Sequence, residues 1–422
     1  MIEKMNRNLI LITDTYPFGA VAESFLDKEI PYLSSFFNSI IIVPRNFPAE
    51  IEKVERKMPD NVVIDTSLLK YFTNKKIKRI LFIKIIVGSI LFYKEILKRP
   101  KIFFDIRALK KTIYYLLSAY LVKNWVLNFL KQNNSNLSQT LFYTYWLGSS
   151  TMGVNLVKKD NNLIKVISRA HRYDIYEDLY IPKYLPFRNE SMSINRIFCI
   201  SNHGMKYIIN HYPFLKSICS ISYLGVEKPD FISQPSFDSI FRIVSCSYIV
   251  PVKRIHLIIL ALKEFAKKRP ELKIKWTHIG YGRLFDQIKK EATSLLSNNI
   301  IANFTGYLSD NLFYNFYKTN PIDVFINVSA SEGIPVSIME AQSFGIPVIA
   351  TAVGGTPEIV TEDVGILLSE NPSPEEIANA IEFFIDNPEI TKRMRLKSIE
   401  NWEKNFNAVK NFTEFAKTLK MI

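Results

Sequence analysis

A chain of 422 residues, 48% of them hydrophobic, can bury the cores of two or three domains and is too apolar to be disordered or fibrous. Its three cysteines, Cys199, Cys219 and Cys246, form no CxxC pair and no even set, so neither a disulfide scaffold nor a thiolate metal site is indicated, and we expect a reducing compartment. The formal net charge of +14 excludes an acidic protein.

Nearly all of that positive charge lies in residues 70–131, which hold fifteen Lys and Arg residues against two acids, Glu95 and Asp105. There the stretch KIKRILFIKIIVGSILFYKEILKRPKIFF mixes cations with aromatic and aliphatic side chains. We interpret this mixture as a surface for anionic membranes, since its longest uncharged run, Ile85 to Tyr93, is far below the roughly 18 to 20 residues that span a bilayer. The alternative is a pair of ordinary core helices with solvated lysines. No nucleic-acid recognition motif accompanies the charge, so we expect no nucleic-acid partner.

In chain order, short β-rich runs alternate with helical stretches, which predicts an α/β protein with parallel sheets covered by helices. The N-terminal apolar run is too short for a signal peptide, and we interpret it as the first strand. The predicted strands of the first half are 8–14, 39–44, 139–146, 163–170, 196–201 and 221–226.

A stretch rich in Pro, Ser and Asp follows at 227–239, and we predict that it is a linker between two domains. The predicted strands of the second half are 241–247, 273–280, 300–308, 323–329 and 346–351. Each half is thus predicted to be a doubly wound, Rossmann-like domain, in which ligands bind beyond the carboxyl ends of the strands.

The stretch SEGIPVSIMEAQSFGIPVIATAVGGTPEIV, from Ser331 to Val360, carries the clearest chemical pattern. A helix is predicted to begin at Pro335 and to end at Gly345, so the backbone N–H groups from Gly333 onward form an anion site. The spacing places Val336, Met339, Glu340, Ser343 and Phe344 on one face of that helix. A carboxylate on so apolar a face needs a partner, and the vicinal hydroxyls of a ribose suit it. Glu332 stays in the preceding loop.

This E-x7-E pattern with its trailing GIPVIAT and VGG resembles the nucleotide-sugar signature of the retaining glycosyltransferases of family 4, the group 1 glycosyltransferases. The resemblance extends over essentially the whole chain and implies the GT-B fold, two facing Rossmann-like domains with a cleft between them. It implies an acceptor-binding domain at 1–228, a nucleotide-sugar-binding domain at 229–395, and a C-terminal helix at 396–422 that packs back on the first domain.

The same resemblance assigns the donor site. Glu340 would hold the ribose, while Glu332 and the backbone of Gly333, Ile334 and Pro335 would hold the sugar and its phosphate. In VSCSYIVPVKRIHLII, Lys253 falls on the family's lysine for the diphosphate. The arginine usual before it is absent, with Ser247 and Tyr248 in its place, and Arg254 is a candidate for the second positive charge.

Further candidates lie in loops that resemble those of the family. His171, in SRAHRYDIYED, would contact the transferring sugar, and Arg169 and Asp174 would bind the acceptor or order that loop. Gly19 would bring the first loop near the diphosphate, and Gly280 and Gly282 would border the base. By this resemblance, catalysis depends on His171, Lys253 and Glu332.

The resemblance implies transfer of a sugar from a UDP- or GDP-linked donor with retention of configuration. No DxD triplet or His/Cys ligand spacing occurs in the sequence, so we expect neither a metal nor a cofactor. The basic segment suggests a lipid-linked glycan acceptor in capsule, exopolysaccharide or lipopolysaccharide synthesis. The expected location is cytoplasmic, peripheral at the inner face of the cytoplasmic membrane.

Two alternatives remain at this stage. One is another GT-B enzyme, either a sugar-nucleotide epimerase or a phosphorylase, although the chain shows no pyridoxal lysine context. The other is a non-catalytic anion- or membrane-binding protein, for which Glu340→Ala would leave every activity intact.

Overall fold

The computed structural model describes residues 5–19, 23–47, 56–133, 139–188 and 192–422. The chain forms two compact units: unit 1 is Met1–Ser222 with Phe412–Ile422, and unit 2 is Tyr223–Asn411. The chain thus passes into unit 2 after Ser222 and returns to unit 1 after Asn411.

Unit 1 is built on a seven-stranded parallel sheet in the order β3-β2-β1-β4-β5-β6-β7. Its strands are β1 (Met5–Thr13), β2 (Phe37–Pro44), β3 (Val62–Ile64), β4 (Thr140–Thr144), β5 (Lys165–Ala170), β6 (Arg196–Cys199) and β7 (Cys219–Ile221). The central strand β1 buries Leu9 and Leu11 in one apolar cluster and Ile10 and Ile12 in another. Side chains of a strand alternate between faces, so helices must cover both sides of this sheet.

Most of the residues that connect the strands of unit 1 lie in helices. They are α1 (Phe25–Phe36), α2 (Ser67–Thr73), α3 (Lys75–Gly88), α4 (Ile90–Lys98), α5 (Lys101–Phe104), α6 (Ile106–Gln132), α7 (Ser149–Asp160), α8 (Arg172–Ile175) and α9 (Asn202–His211). The last helix of the chain contributes Phe415, Ala416 and Leu419 to the apolar cluster around β1. None of the helices within the described ranges combines the length and apolarity needed to cross a membrane.

Unit 2 is built on a six-stranded parallel sheet in the order β10-β9-β8-β11-β12-β13. Its strands are β8 (Ile240–Cys246), β9 (Lys273–Ile279), β10 (Ile300–Gly306), β11 (Val324–Asn327), β12 (Val348–Thr351) and β13 (Gly365–Leu368). The helices are α10 (Ile255–Lys268), α11 (Phe285–Leu295), α12 (Asp310–Thr319), α13 (Val336–Ser343), α14 (Thr356–Ile359), α15 (Pro374–Asp386), α16 (Pro388–Asn405) and α17 (Ala408–Lys420), which runs on into unit 1.

Three strands differ from the sequence prediction. β3 and β13 have no counterpart among the predicted strands, and β7 ends at Ile221 where the predicted strand 221–226 begins. β3 has three residues with no buried side chain, so it gives no apolar alternation to detect. Beyond β7, Val226 forms only an isolated bridge to Asn407.

Each sheet reverses its strand order at one place, between β1 and β4 in unit 1 and between β8 and β11 in unit 2. Loops leave the carboxyl ends of neighbouring strands in opposite directions there and open a crevice. The two reversal points are therefore where binding groups are expected.

Candidate functional site

The reversal point of unit 2 holds an ion pair that joins the loops after β8 and β11. Lys253 donates from Nζ to Oε1 of Glu332 over 2.6 Å. The Glu332 side chain is 9% exposed and that of Lys253 is 22% exposed. An ammonium group has three N–H donors, and a half-buried lysine beside a crevice can bind an oxyanion while holding its carboxylate partner.

The ionised state of Glu332 is maintained by its neighbours. Burial acts to raise the pKa, but the charge of Lys253 and hydrogen bonds from Lys253, Ser329 and Asn327 outweigh it, so the pKa of Glu332 is lowered. Asn327 donates from Nδ2 to Oε1 over 3.4 Å and accepts from the backbone N–H of Ser329. Glu332 is thus a fixed negative charge that orients the ammonium group of Lys253.

The double glycine after β12 holds the Glu332 loop in place. Gly354 has φ +56°, and a Cβ atom there would lie 1.9 Å from the carbonyl oxygen of Glu332. Gly355 donates from its backbone N–H to the carbonyl of Gly333 over 2.9 Å. Only glycine allows this approach, because any larger residue would displace the loop. The glycines of the VGG motif therefore support the loop by direct backbone contact.

Helix α13 follows that loop one residue later than the sequence predicts. Pro335 is the N-cap and the helix comprises Val336–Ser343, whereas a start at Pro335 was expected. Pro335 has ψ 110°, outside the helical region, so it directs the chain into the helix rather than forming its first turn. Gly333, Ile334 and Pro335 are all buried, and the backbone N–H groups of the first turn lie beside Glu332.

Glu340 lies on α13 and is half-buried. Its charge acts on Cys246, the last residue of β8. The pKa of Cys246 is raised mainly by burial and, to a smaller extent, by the charge of Glu340. The carboxylate therefore lies near the carboxyl end of β8, on the same side of the reversal point as the loop that carries Lys253. The structure brings Glu340, Glu332 and Lys253 together around one crevice edge of unit 2.

Arg254 is directed elsewhere. Its guanidinium group donates to the carbonyls of Val328, Ser329 and Glu370 and to Oδ1 of Asn371, at 2.7, 2.8, 2.9 and 3.1 Å. Four of its five N–H donors are thereby used. These contacts make Arg254 a link between the loops after β11 and β13. They do not support the prediction that Arg254 supplies a second cation to a phosphate.

Gly280 and Gly282 line the loop after β9 and pack against the loop after β8. A Cβ atom would lie 2.0 Å from the carbonyl oxygen of Ser247 at Gly280 and 2.6 Å from that of Ile249 at Gly282. Both glycines thus allow the loop after β9 to pack closely against the backbone of the loop that leads to Lys253. Tyr248, one of the two residues at the position where the resemblance led us to expect an arginine, is 49% exposed.

In unit 1, His171 follows β5 and its ring packs against those of Tyr145 and Trp146, with both centroid distances 4.7 Å. His171 is 6% exposed, and its Nε2 has no hydrogen-bond partner among the described residues. Burial and the charge of Arg169 lower its pKa to about 3, against an opposing hydrogen bond with the backbone of Tyr145. The imidazole is neutral at physiological pH and presents one unused nitrogen.

Asp174 orders the loop that carries His171. Its two oxygens accept from the backbone N–H groups of His171 and Leu147, at 2.5 and 2.6 Å. Burial raises the pKa of Asp174 to about 7, against the charge of Arg188 and these two hydrogen bonds. Of the two roles predicted for Asp174, these contacts fit loop ordering.

Arg169 lies in the core of unit 1. Its side chain has no exposed surface, forms an ion pair with Glu29 at 3.0 Å and lies 4.3 Å from the centre of the Phe415 ring. It also donates to Tyr143 and to the carbonyl of Ser222. A side chain without exposed surface does not contact a ligand, so the contacts of Arg169 do not fit the predicted acceptor role and link β5 to α1 and α17 instead.

The loop after β1 contains a group that the sequence analysis missed. The backbone N–H groups of Asp14, Thr15 and Tyr16 all donate to the carboxylate of Glu23 over 2.8 Å, and Trp146 donates to it over 2.6 Å. Converging N–H groups of this kind form an anion-binding nest. Glu23 fills it, so these three N–H groups are not available to a diphosphate. Gly19, with φ 85°, accepts from Arg56 in the same loop.

Comparison with known proteins gives a family match for unit 2. Residues 229–401 match the family described as glycosyl transferases group 1, and this range lies within unit 2. No curated protein sequence matches the chain.

Solved structures match nearly the whole chain. The lipopolysaccharide outer core galactosyltransferase WaaB is 15% identical with TM-score 0.64, covering 98% of this chain and 99% of its own. Alr3699/HepE of Anabaena, in complex with UDP, is 16% identical with TM-score 0.65, covering 99% and 100%. TarM is 14% identical with TM-score 0.66, covering 97% and 98%. The two parallel-sheet, Rossmann-like units thus form the GT-B fold, as predicted.

We expect the imidazole of His171 to remain neutral between about pH 5 and pH 8, because its pKa of about 3 lies far below the usual value near 6.5. Long-range 1H–15N spectra of protein labelled with 15N-histidine measure this, with the resonance assigned by its loss in His171→Gln. The same ring in urea-unfolded protein should titrate near the usual value. A midpoint above about pH 5.5 in the folded protein would show that the ring is not buried as described.

Proposed function

We propose that this protein is a retaining glycosyltransferase that moves a sugar from a nucleoside diphosphate donor to a hydroxyl group of a lipid-linked glycan. The observation that carries the proposal is the Lys253–Glu332 pair beside the first turn of α13, at the reversal point of a sheet whose unit matches the group 1 glycosyltransferases. A cation next to a helix N-terminus suits a diphosphate, which is what leaves when the sugar bond of such a donor breaks.

The positive charge on the donor site has two sources. Lys253 directs its ammonium group at the leaving phosphate, and the N–H groups from Gly333 to the first turn of α13 donate to phosphate oxygens. Glu332 holds the lysine in position and, with the Gly333 backbone, binds the sugar. Charge stabilisation by groups already in place lowers the barrier, because nothing has to reorganise as the bond breaks. In this mechanism the protein supplies the charge without a metal ion.

Glu340 binds the ribose of the donor in this proposal. A half-buried carboxylate near the end of β8 can accept hydrogen bonds from both vicinal hydroxyls at once. We propose UDP as the nucleotide, because the Anabaena HepE structures contain UDP or UDP-glucose and match this chain over 98% or more of its length.

The acceptor binds to unit 1, where His171 contributes a neutral ring whose Nε2 has no hydrogen-bond partner among the residues described. A neutral imidazole can donate to or accept from a sugar hydroxyl, whereas at a pKa of about 3 it does not carry a positive charge to the phosphate. Its part is to position the transferring sugar, which suits a mechanism in which the departing phosphate deprotonates the acceptor hydroxyl. WaaB, a lipopolysaccharide galactosyltransferase by its description, supports a polysaccharide pathway such as lipopolysaccharide or capsule synthesis.

Removing the Glu340 carboxylate tests the donor site. We expect UDP to raise the melting temperature of the wild-type protein and to bind Glu340→Ala at least about tenfold more weakly, since a hydrogen bond to a charged group contributes about 1.5 to 3 kcal/mol. The measurement is a thermal-shift titration with UDP, GDP, ADP and CMP. The matched control is Glu264→Ala, another half-buried helix glutamate of unit 2. Equal stabilisation of all three proteins would contradict a ribose role for Glu340.

A second part of the proposal concerns where the enzyme works. The consecutive helices α3, α4 and α5 and the start of α6 expose large apolar side chains: Ile80, Phe82, Ile83, Val87, Ile90, Leu97, Phe103, Phe104 and Ile106. Leu97 is 79% exposed and Phe104 is 85% exposed. The same helices expose Lys75, Lys76, Arg79, Lys84, Lys94 and Lys101. Exposed apolar groups among cations suit an anionic membrane surface, and we propose that unit 1 docks there to reach a lipid-linked acceptor.

Vesicle binding tests the membrane surface. We expect the wild-type protein to sediment with vesicles rich in phosphatidylglycerol, and Phe103→Ser/Phe104→Ser to bind them about tenfold or more weakly, because each inserted phenylalanine contributes about 1.5 to 3 kcal/mol. Phe237→Ser is the matched control, since Phe237 is 87% exposed but lies in unit 2. If both variants bind vesicles as the wild type does, these helices are not the docking surface.

A further inference from the structure

The reversal point of unit 1 holds a cavity of about 240 Å³ at the carboxyl ends of β1 and β4, which we call the α7 pocket. Its wall includes Asp14, Trp146, Ser150, Lys111 and Arg188. A pocket smaller than the roughly 300 Å³ of the smallest drug-sized sites encloses one small group rather than a whole glycan. Trp146 joins it to the predicted acceptor site, because the Trp146 ring also packs on His171.

The first turn of α7 opens onto this pocket. Gly148 is the N-cap, and Gly148, Ser149 and Ser150 all line the cavity. The first N–H groups of a helix have no partner within the helix, and they carry a partial positive charge. Arg45, which also lines the pocket, donates from Nη1 to Oγ of Ser149 over 2.8 Å. The wall therefore presents backbone donors, hydroxyls and a guanidinium group together.

Arg188 provides an independent indication that this pocket can bind an anion. Only 3% of this residue is exposed. Its Nη2 donates to the carbonyls of Leu147, at 2.5 Å, and of Asp174, but its Nη1 has no hydrogen-bond partner among the described residues. A buried guanidinium nitrogen without a partner costs free energy unless a ligand satisfies it.

Lys111 adds a second cation to the same wall. Its Nζ donates to the carbonyl of Tyr184 over 2.6 Å and lies 3.4 Å from the centre of the Tyr180 ring, so these two contacts engage part of its three N–H groups. Burial and the nearby charge of Arg188 lower the pKa of Lys111 to about 8, against an opposing effect of Glu177. The buried hydroxyl of Tyr115, which also lines the pocket, has no hydrogen-bond partner among the described residues. Lys111, Arg188 and Tyr115 thus each bring a donor to the wall of the same pocket.

The carboxylates of the wall are engaged in other contacts. Asp14 accepts from Arg45 and Asn46, both at 2.7 Å. Asp174 accepts from the two backbone N–H groups of the His171 loop. The neighbouring N–H nest of the loop after β1 is filled by Glu23. The N–H groups of that nest are therefore not available to an anion that enters this part of unit 1.

We propose that the α7 pocket binds a phosphate group of the acceptor, held by Arg188, Lys111 and the first turn of α7. The proposal rests on the proposed function, because it assigns the chemical class of the acceptor for that same transferase. A phosphate fits this wall better than a neutral sugar, since its oxygens accept from several donors at once and its charge offsets the two cations. The phosphate can come from a lipid carrier or from a phosphorylated sugar.

Calorimetric titration tests the pocket with soluble probes at constant ionic strength. The probe is inorganic phosphate, added to protein that carries Lys253→Met so that the donor site does not compete for it. We expect Lys111→Gln in this background to bind phosphate about tenfold or more weakly, as loss of one charge-assisted hydrogen bond predicts. Lys110→Gln is the matched control, because Lys110 carries the same charge on the same helix but is exposed and does not line the pocket.

The outcomes separate the proposals. The pocket proposal would be overturned if Lys111→Gln and Lys110→Gln bound phosphate equally, or if the parent protein bound no phosphate. Nucleotide binding to the wild-type protein would remain an independent test of the donor site. Phosphate binding without nucleotide binding would contradict the donor site alone. If these results support the pocket, a second titration compares polyisoprenyl phosphate in detergent micelles with glucose 1-phosphate. The control for each ligand is the same molecule without its phosphate. The phosphate that binds more tightly shows whether a lipid or a sugar carries the phosphate group.

Discussion

The close approach of Gly354 to the carbonyl oxygen of Glu332 is the constraint on which the proposed donor site depends. A loop of backbone and small polar side chains has no apolar core of its own, so its position must come from contacts with a rigid neighbour. Here the neighbour is the turn after β12, which reaches the Glu332 loop only because Gly354 has no side chain and a positive φ. The position of Glu332 fixes that of Lys253, 2.6 Å away, and with it the direction of the charge offered to a phosphate.

The two units use the same physical device in different ways. Each has a parallel sheet with one reversal of strand order, and each places a helix N-terminus and a cationic side chain beside that reversal. In unit 2 the lysine has a carboxylate partner, so its charge is held ready in a fixed direction. In unit 1 Arg188 has a nitrogen without a hydrogen-bond partner in the part of the chain that the structure describes, and Glu23 fills the neighbouring nest. Each unit therefore has positive charge at the reversal point of its own sheet.

Much of this arrangement could be predicted from the sequence, because parallel strands buried on both faces are continuous apolar runs and glycine marks close backbone approach. The predicted strands around β1 and β8 are present, and the E-x7-E segment lies at the reversal point of its sheet. Short strands such as β3 escaped prediction, since three residues without burial give no pattern. The direction of Arg254 escaped it too, because sequence spacing does not show which side of a turn a long side chain takes.

Buried polar networks were the least predictable part. Arg169 is the last but one residue of the predicted strand 163–170, next to a predicted site loop, yet it pairs with Glu29, which lies far away in the chain. Glu23 is a single acid in a loop, and only the fold brings it under three backbone N–H groups. Such contacts depend on which loops the sheet order makes neighbours, and no local pattern of residue types encodes that order.

The most direct measurement is UDP affinity of Gly354→Ala beside Gly306→Ala, determined by isothermal titration calorimetry. Both glycines lie in unit 2 with positive φ, at +56° and +71°, but a Cβ atom at Gly306 would meet nothing within 4 Å. Both variants carry the cost of about 1 kcal/mol for alanine in that conformation. If the Glu332 loop positions the donor, only Gly354→Ala loses affinity, by about tenfold or more. Equal affinity of the two folded variants for UDP would contradict that dependence.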